Sequence, residues 1–275
     1  PANYLGIVKL SLPDSITPFE AAEKLAGTSA VATVEPDYAY RLPDTRMAPT
    51  IPATVDTGKT AEDASLPLVA VLDSGLAKRY EYESFVASVY DALNQRHETT
   101  DPVGHGTQMS LLAAGVIQPL GVSTTSDHYH PIISVRAFDD NGFTSNHTLM
   151  RSIDYALDAG AQVINMSWGT EQPNEMLASL MDYVASSGAI LVSAAGNVPS
   201  GLPVYPAAYD QVIGVGALNP DGSIWNQSNF GRSVSAWAPG MVITDTQDPD
   251  RKNLYKGTSV SAAFLAYQIA HQLDN

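Results

Sequence analysis

The sequence predicts an α/β protein in which helices cover both faces of a mainly parallel sheet, a three-layer α/β/α arrangement. From residue 66 onward, apolar runs alternate with helical patterns, an order typical of strands in one sheet with helices packed on it. The runs are continuous rather than alternating, as expected for strands covered on both faces. The predicted strands lie at 66–73, 131–138, 161–168, 188–196 and 210–218.

Four helices are predicted in the same region, at 104–117, 148–160, 174–188 and 258–273. Gly160 and Gly188 lie where two of them end, and glycine is common just beyond a helix C-terminus. In open sheets of this kind, ligands bind at the carboxyl ends of the strands. Functional residues are therefore expected at those ends.

A small β-α-β unit is predicted ahead of this domain, in residues 1–42, with strands at 4–11 and 29–42. A short helix is predicted between them, because Thr17 is a good N-cap and Glu20 follows it by three residues. Pro18 fits the first helical position.

The next residues, 43–65, contain several prolines and no periodic pattern, so they are predicted to be a linker. The larger domain then spans 66–275.

Composition excludes several classes of protein. With 14 basic and 29 acidic residues the net charge is −15, a charge that repels nucleic acid and anionic lipid. The chain has no cysteine, which removes thiol catalysis, thiolate metal sites and disulfides. No apolar run reaches the roughly 18 residues of a membrane span. We therefore expect neither nucleic acid nor a membrane as a partner.

Three polar residues stand where apolar elements begin or end. Asp73 ends a predicted strand, His105 opens a predicted helix within GHGT, and Ser259 opens another within GTS. These are the residue types of a nucleophilic triad, in which the serine attacks, the histidine moves the proton and the aspartate orients the imidazole. At a helix N-terminus, Ser259 would also place its backbone N–H beside a developing oxyanion.

Four segments that include these residues resemble the signature segments of the subtilisin-like serine proteases. They are LDSG at 72–75, GHGT at 104–107, SAAGN at 193–197 and GTSVSAA at 257–263. The order Asp, His, Ser along the chain is also that of the subtilisins. The resemblance covers about residues 66–273 and implies a serine endopeptidase.

The resemblance implies a role for each matching residue. Asp73, His105 and Ser259 would form the triad, and the Asn197 side chain would join the Ser259 backbone N–H in the oxyanion hole. Substrate would bind as an extended strand between two segments, Gly142, Phe143 and Thr144 on one side and Ser167, Trp168 and Gly169 on the other. Ala195 and Gly196 would form the second wall of the pocket for the residue before the cut. Val204 would lie near the floor of the pocket for the residue before the cut, which predicts a small, neutral pocket.

The end of the N-terminal unit, VATVEPDYAYRL, resembles the last strand of the prosegments that fold and block such proteases. This predicts that the chain's own N-terminal segment is an intramolecular inhibitor, with a self-cleavage site between Tyr38 and about Lys59. The other expected partner is a peptide or protein substrate.

Two alternatives to a general endopeptidase stay open. One is a narrow-specificity processing protease, which a small pocket would suit. The other is a silent binding module whose cleft is permanently blocked by the N-terminal unit. The family resemblance favours a secreted or cell-envelope protein, without deciding the location.

No cofactor is required by the implied mechanism, and no metal site is assigned. The resemblance allows a structural calcium, but no clear calcium motif is present. His128 and His130 are spaced to share a strand face, but their polar surroundings favour an ordinary loop. His97, His147 and His271 are expected to be surface residues.

Overall fold

The computed structural model describes residues 8–26, 28, 33–43, 59, 65–122, 128–245 and 252–274. Its strands are, in chain order, β1 (Ala39–Arg41), β2 (Val69–Asp73), β3 (Val86–Asp91), β4 (Ile132–Arg136), β5 (Phe143–Ser145), β6 (Val163–Met166), β7 (Ile190–Ala194), β8 (Val212–Leu218), β9 (Ala236–Pro239), β10 (Met241–Asp245) and β11 (Lys252–Lys256). Seven of them form one parallel sheet in the order β3-β4-β2-β6-β7-β8-β9.

The helices are α1 (Pro18–Leu25), α2 (His105–Ala113), α3 (Asn146–Asp158), α4 (Glu175–Ser186) and α5 (Thr258–Leu273). Helices α2 and α5 pack on one face of the sheet, and α3 and α4 pack on the other. The three-layer α/β/α fold is therefore confirmed. Within the described residues, no helix is both long and apolar enough to cross a membrane.

The central strands are largely apolar because each face of the sheet has its own core. In β2, Val69 and Val71 pack with the helix pair α2 and α5. Their neighbours Ala70 and Leu72 pack on the opposite side, with α3 and α4. Successive side chains of a strand point to opposite faces, so a strand between two helical layers buries both sets of its side chains.

All five strands predicted for the larger domain are present, as β2, β4, β6, β7 and β8. The four helices are also confirmed, with ends that differ by a few residues. The sequence did not predict β3 and β9, which are the two edge strands of the sheet. It also missed β10 and β11, which pair as an antiparallel hairpin.

The N-terminal unit differs from its prediction. Helix α1 is present with Thr17 as its N-cap and with the capping box to Glu20. Part of each predicted strand, 4–7 and 29–32, lies outside the described residues, and 8–11 and 33–38 are not in strands. The described strand is β1, and it pairs with β5 of the larger domain. The linker prediction and the self-cleavage prediction fall largely on residues outside the description, including 44–58.

Candidate active site

Asp73 and His105 are brought together by β2 and α2. Asp73 is the last residue of β2 and His105 is the first residue of α2. The Asp73 Oδ1 atom lies 2.7 Å from His105 Nδ1, and both side chains are fully buried. Burial opposes a charge on the ring, but the Asp73 carboxylate outweighs it and raises the pKa of His105 above its ordinary value. The pair can therefore stabilise an imidazolium.

Asp101 links the turn after Asp73 to α2 by hydrogen bonds, and the sequence analysis missed this residue. Asp101 Oδ1 accepts hydrogen bonds from Ser74 Oγ at 2.8 Å and from Gly104 N at 2.8 Å. Its other oxygen accepts from the backbone N and the hydroxyl of Thr107, at 2.7 and 2.6 Å. The available signal was an aspartate three residues before Gly104, the N-cap residue of the helix.

The second glycine of GHGT is required by packing. A Cβ atom on Gly106 would lie 2.4 Å from the backbone oxygen of Gly75. The Gly106 backbone N also donates to Ser74 Oγ at 2.9 Å. Only glycine therefore lets α2 approach the turn after β2 closely enough for His105 to reach Asp73.

Ser259 lies in the first turn of α5, two residues after the N-cap Gly257. Its hydroxyl donates to the carbonyl oxygen of Ser167 at 3.2 Å. Among the described residues, His105 Nε2 has no hydrogen-bond partner. The serine is thus not hydrogen-bonded to the histidine, an arrangement common in substrate-free sites, where catalytic hydrogen bonds often form only in the complex.

Asn197 is oriented by the residue before Ser259. Its Oδ1 atom accepts hydrogen bonds from Thr258 N at 2.9 Å and from Thr258 Oγ1 at 3.0 Å. The Gly196 backbone N in turn donates to Thr258 Oγ1 at 3.1 Å. With its oxygen occupied in this way, the amide offers its NH₂ group as the donor, beside the N-terminus of α5.

Three of the residues expected to bind substrate, Trp168, Gly169 and Gly196, line one cavity, whereas Ser167 is buried. A cavity of about 750 Å³ is lined by Trp168, Gly169, Gly196, Asn197 and Val204, among others. A Cβ atom on Gly169 would lie 2.6 Å from Val204 Cγ1, and one on Gly196 would lie 3.3 Å from Cγ2. Val204 therefore stands between the two glycines and narrows this part of the cleft. Ala195 is buried, and Asn229 Nδ2 donates to its carbonyl at 3.0 Å.

The segment Gly142 to Thr144, expected to pair with substrate, is paired with the chain itself. Residues 33–43, here called the cleft segment, contain β1, which pairs antiparallel with β5 so that Tyr40 lies opposite Thr144. The ladder continues where Leu42 N donates to the Gly142 carbonyl at 2.9 Å.

Tyr40 anchors the cleft segment. Its side chain is buried, and its ring meets that of Trp168 edge-on at 5.9 Å between centroids. The Tyr40 hydroxyl donates to Asn146 Oδ1, and burial raises its pKa well above the ordinary value for tyrosine.

Two acidic residues of the cleft segment contact the N-terminal ends of α3 and α4. Asp37 Oδ1 accepts from the backbone N of His147 at 3.1 Å. Glu35 Oε2 accepts from Asn174, the N-cap of α4. Burial raises the pKa of Asp37, but hydrogen bonds from Lys9 and His147 outweigh it and lower the pKa below its ordinary value. Negative charge is favourable at helix N-termini, so these contacts hold the segment electrostatically.

Residues 65–274 match the model of the subtilase family, peptidase S8. The chain belongs to the subtilase family. The match starts just ahead of β2 and therefore includes the sheet, Asp73, His105, Asn197 and Ser259.

Curated relatives of this subtilase are named as proteases. A thermophilic serine proteinase of Bacillus sp. (strain AK1) is 32% identical over 200 residues, which cover 72% of this chain and 50% of that protein. Thermitase of Thermoactinomyces vulgaris is 28% identical over 72% of this chain and 71% of thermitase. Subtilisin E of Bacillus subtilis (strain 168) is 28% identical over 90% of this chain and 66% of that protein.

The chain spans half the length of the Bacillus sp. proteinase and 31% of the minor extracellular protease Epr of Bacillus subtilis (strain 168). Among solved structures, a lanthipeptide protease is similar in fold, with a TM-score of 0.63 and 23% identity over 74% of this chain and 72% of that one.

Proposed function

We propose that this subtilase is a serine endopeptidase whose cleft segment lies in its own substrate site. The observation that supports it most is the buried Asp73–His105 pair, with a 2.7 Å contact between Oδ1 and Nδ1, in a subtilase chain whose Ser259 lies in the first turn of α5. A buried carboxylate in contact with Nδ1 holds the imidazole in the tautomer that leaves Nε2 free to accept a proton.

In the proposed mechanism, Ser259 Oγ turns from the Ser167 carbonyl to His105 Nε2 and attacks the carbonyl carbon of the scissile peptide bond. His105 takes the hydroxyl proton as the C–O bond forms, then gives it to the leaving amine as the C–N bond breaks. Water then attacks the acyl-enzyme in the same way. His105 takes a proton from the water and returns it to Ser259 Oγ as the carboxylic acid product leaves. Asp73 stays ionised and stabilises the imidazolium.

The oxyanion would be bound by the backbone N of Ser259 and the NH₂ group of Asn197. Both donors are positioned before substrate arrives, because Thr258 fixes the Asn197 oxygen and lies in the same helix turn as Ser259. Fixed donors at the site of developing charge accelerate such reactions because little reorganisation is needed.

The cleft segment is proposed to bind as a peptide substrate does, by adding a strand to β5. In this register Tyr40 takes the position three residues ahead of Pro43, and Pro43 borders the cavity that Gly169, Asn197 and Val204 line. The segment would then inhibit the enzyme until it is displaced or cut. A permanently blocked cleft, as in a silent binding module, predicts the same contacts but no cleavage.

The narrowing at Val204 and the aromatic contact at Trp168 support restricted specificity. We propose that preferred substrates carry a small, uncharged side chain immediately before the cut. They would carry an aromatic side chain three residues ahead of that small one, as Tyr40 stands ahead of Pro43. A processing protease fits that description better than a general degrading enzyme does. Cleavage of a peptide library, compared with digestion of unfolded casein, separates the two.

The first test is labelling of the full chain with a fluorophosphonate, read by intact mass. Wild type is compared with Ser259→Ala and with Ser186→Ala, in which an exposed serine of α4 is removed. One adduct is expected in wild type and in Ser186→Ala, and none in Ser259→Ala. A loss of N-terminal mass only in the chains that keep Ser259 would show self-processing.

Because the cleft segment can block the probe, Tyr40→Asp is labelled in parallel. A buried carboxylate in place of the tyrosine should release the segment. If neither wild type nor Tyr40→Asp forms an adduct, the endopeptidase proposal is wrong and the silent module takes its place. An adduct in Tyr40→Asp alone would mean an active site that is blocked in the intact chain.

A further inference from the structure

The fold brings three histidines together far from Asp73, His105 and Ser259. His128 and His130 precede β4, and His271 lies in the last turn of α5. Ser259 and His271 are twelve residues apart on one helix, a separation of about 18 Å along its axis. This group, here called the histidine cluster, therefore lies outside the proposed catalytic machinery.

The spacing of the ring nitrogens suits a single metal ion. One nitrogen from each of the three rings lies within 4.8 Å of the others. His130 Nε2 lies 3.5 Å from His271 Nδ1. Two imidazole ligands of a tetrahedral zinc ion, with Zn–N bonds of about 2.05 Å, have their nitrogens about 3.3 Å apart. The pair therefore needs only a small adjustment to share an ion.

Burial also indicates a ligand. The side chain of His130 is fully buried, and within the described residues its Nδ1 atom has no hydrogen-bond partner. Its other nitrogen makes only the long contact to His271, at the limit of a hydrogen bond. Buried polar atoms normally have partners, so an ion bound at Nε2, the nitrogen that faces His271, would give this buried ring the strong partner that it lacks.

The surrounding residues hold the rings in place. The Tyr267 ring meets His130 edge-on at 5.4 Å and stacks on His271 at 6.2 Å between centroids. The His130 backbone N donates to the Ala114 carbonyl at 3.1 Å. Asp274 Oδ2 lies 3.4 Å from His128 Nε2. A carboxylate beside a ligating imidazole completes or orients the coordination set.

We propose that His128, His130 and His271 form a binding site for one divalent transition-metal ion, with zinc as the expected occupant. Imidazole ligands suit zinc, copper and nickel, whereas calcium requires oxygen ligands. A three-coordinate set that a carboxylate or water completes is typical of tetrahedral zinc. The ion would connect the last turn of α5 to the start of β4. Its positive charge would also offset part of the net charge of the chain, which is −15.

The test uses the full chain carrying Ser259→Ala, which keeps the protein intact and makes the result independent of protease activity. After treatment with a chelator, it is titrated with zinc chloride in a calorimeter, and the melting temperature is measured with and without zinc. We expect one ion per chain with a Kd in the micromolar range or below, and a melting temperature raised by several degrees. Calcium chloride should not compete with zinc for this site, because calcium requires oxygen ligands.

His128→Gln and His271→Gln are the test variants, since both side chains are partly exposed and their replacement should leave the fold intact. His147→Gln is the matched control, because it removes a partly exposed histidine of α3 outside the histidine cluster. Each test variant should bind zinc at least 100-fold more weakly, and the control should bind as the parent does. Circular dichroism without zinc checks that all four chains are folded.

The proposal is overturned if the parent binds no zinc below about 100 μM, or if tight binding persists in both test variants. Its outcome does not depend on the proposed protease function, because Ser259 is absent from every chain in the experiment.

Discussion

At the scale of single residues, His105 is governed by two opposing influences. Burial favours the neutral ring, and the carboxylates of Asp73 and, at greater distance, Asp101 favour the charged one, with a net rise in pKa. The Tyr255 ring of β11 also lies nearby, with its centroid 6.3 Å from that of His105. The histidine therefore holds its proton to higher pH than an ordinary histidine does.

This predicts the pH dependence of the proposed reaction. Only the neutral imidazole can accept the Ser259 proton, so kcat/KM should rise with pH through a pKa above 6.5, the ordinary value for histidine. The measurement is a kcat/KM profile on a peptide substrate without ionisable groups in that range. An acid limb at or below that ordinary value would contradict the proposed role of Asp73.

A second prediction at this scale concerns Val204. Replacement by alanine removes two methyl groups from the space between Gly169 and Gly196 and should admit a larger side chain before the cut. We expect the ratio of kcat/KM for Phe over Ala at that position to rise about tenfold, since one methylene in a hydrophobic pocket is worth that much or more. Ile224→Ala, which changes an exposed aliphatic residue that does not line this cavity, is the control. An unchanged ratio would place the pocket elsewhere.

At the scale of elements, Asp101 connects the end of β2 to the start of α2. Its four accepted hydrogen bonds fix both elements that carry the Asp73–His105 pair. Asp101→Ala, made in the Ser259→Ala chain, should lower the free energy of unfolding by about 3 kcal/mol, because hydrogen bonds to a charged acceptor are strong and their donors are partly buried. Urea denaturation measures it.

The control for this prediction is Asp182→Ala, an exposed aspartate of α4, whose loss should change stability by less than about 0.5 kcal/mol. Equal effects of the two substitutions would mean that Asp101 does not hold β2 and α2 together.

The elements also show which features a sequence can predict. The central strands were predictable because two covering layers make them continuously apolar. Edge strand β3 has the burial pattern of a partly covered strand, with Ser88 among its residues, and β9 ends in Pro239. β3 is interrupted by Ser88 and β9 has only four residues, so neither was recognised as a strand.

Contacts between distant parts of the chain were beyond local patterns. Tyr40 and its hydrogen-bond partner Asn146 are 106 residues apart, and His130 and His271 are 141 residues apart. The Asp, His and Ser positions were recognisable only because glycine-containing segments mark each one. The histidine cluster has no such segment, and it exists only because α5 ends beside the start of β4.

At the scale of the whole molecule, α5 connects two distinct regions. Its first turn carries Ser259 beside Asn197, and its last turn carries His271 in the histidine cluster. The helix packs along β6, β7 and β8 between these ends. A metal ion at the far end would therefore stabilise the element that positions the nucleophile without contacting substrate.

The cleft segment provides the last prediction. Tyr40→Ala removes the buried ring that packs on Trp168 and the hydroxyl that bonds Asn146, while the backbone ladder to β5 is kept. Loss of a buried aromatic side chain costs about 3 kcal/mol or more, so the segment should leave the cleft far more often. We expect fluorophosphonate labelling of Ser259 to be at least tenfold faster than in wild type, with Tyr38→Ala, a more exposed position in the same segment, close to wild type. Rates measured by intact mass over time decide it: equal rates in the three chains would mean that the segment does not limit access to Ser259, and the N-terminal residues would then have no inhibitory role.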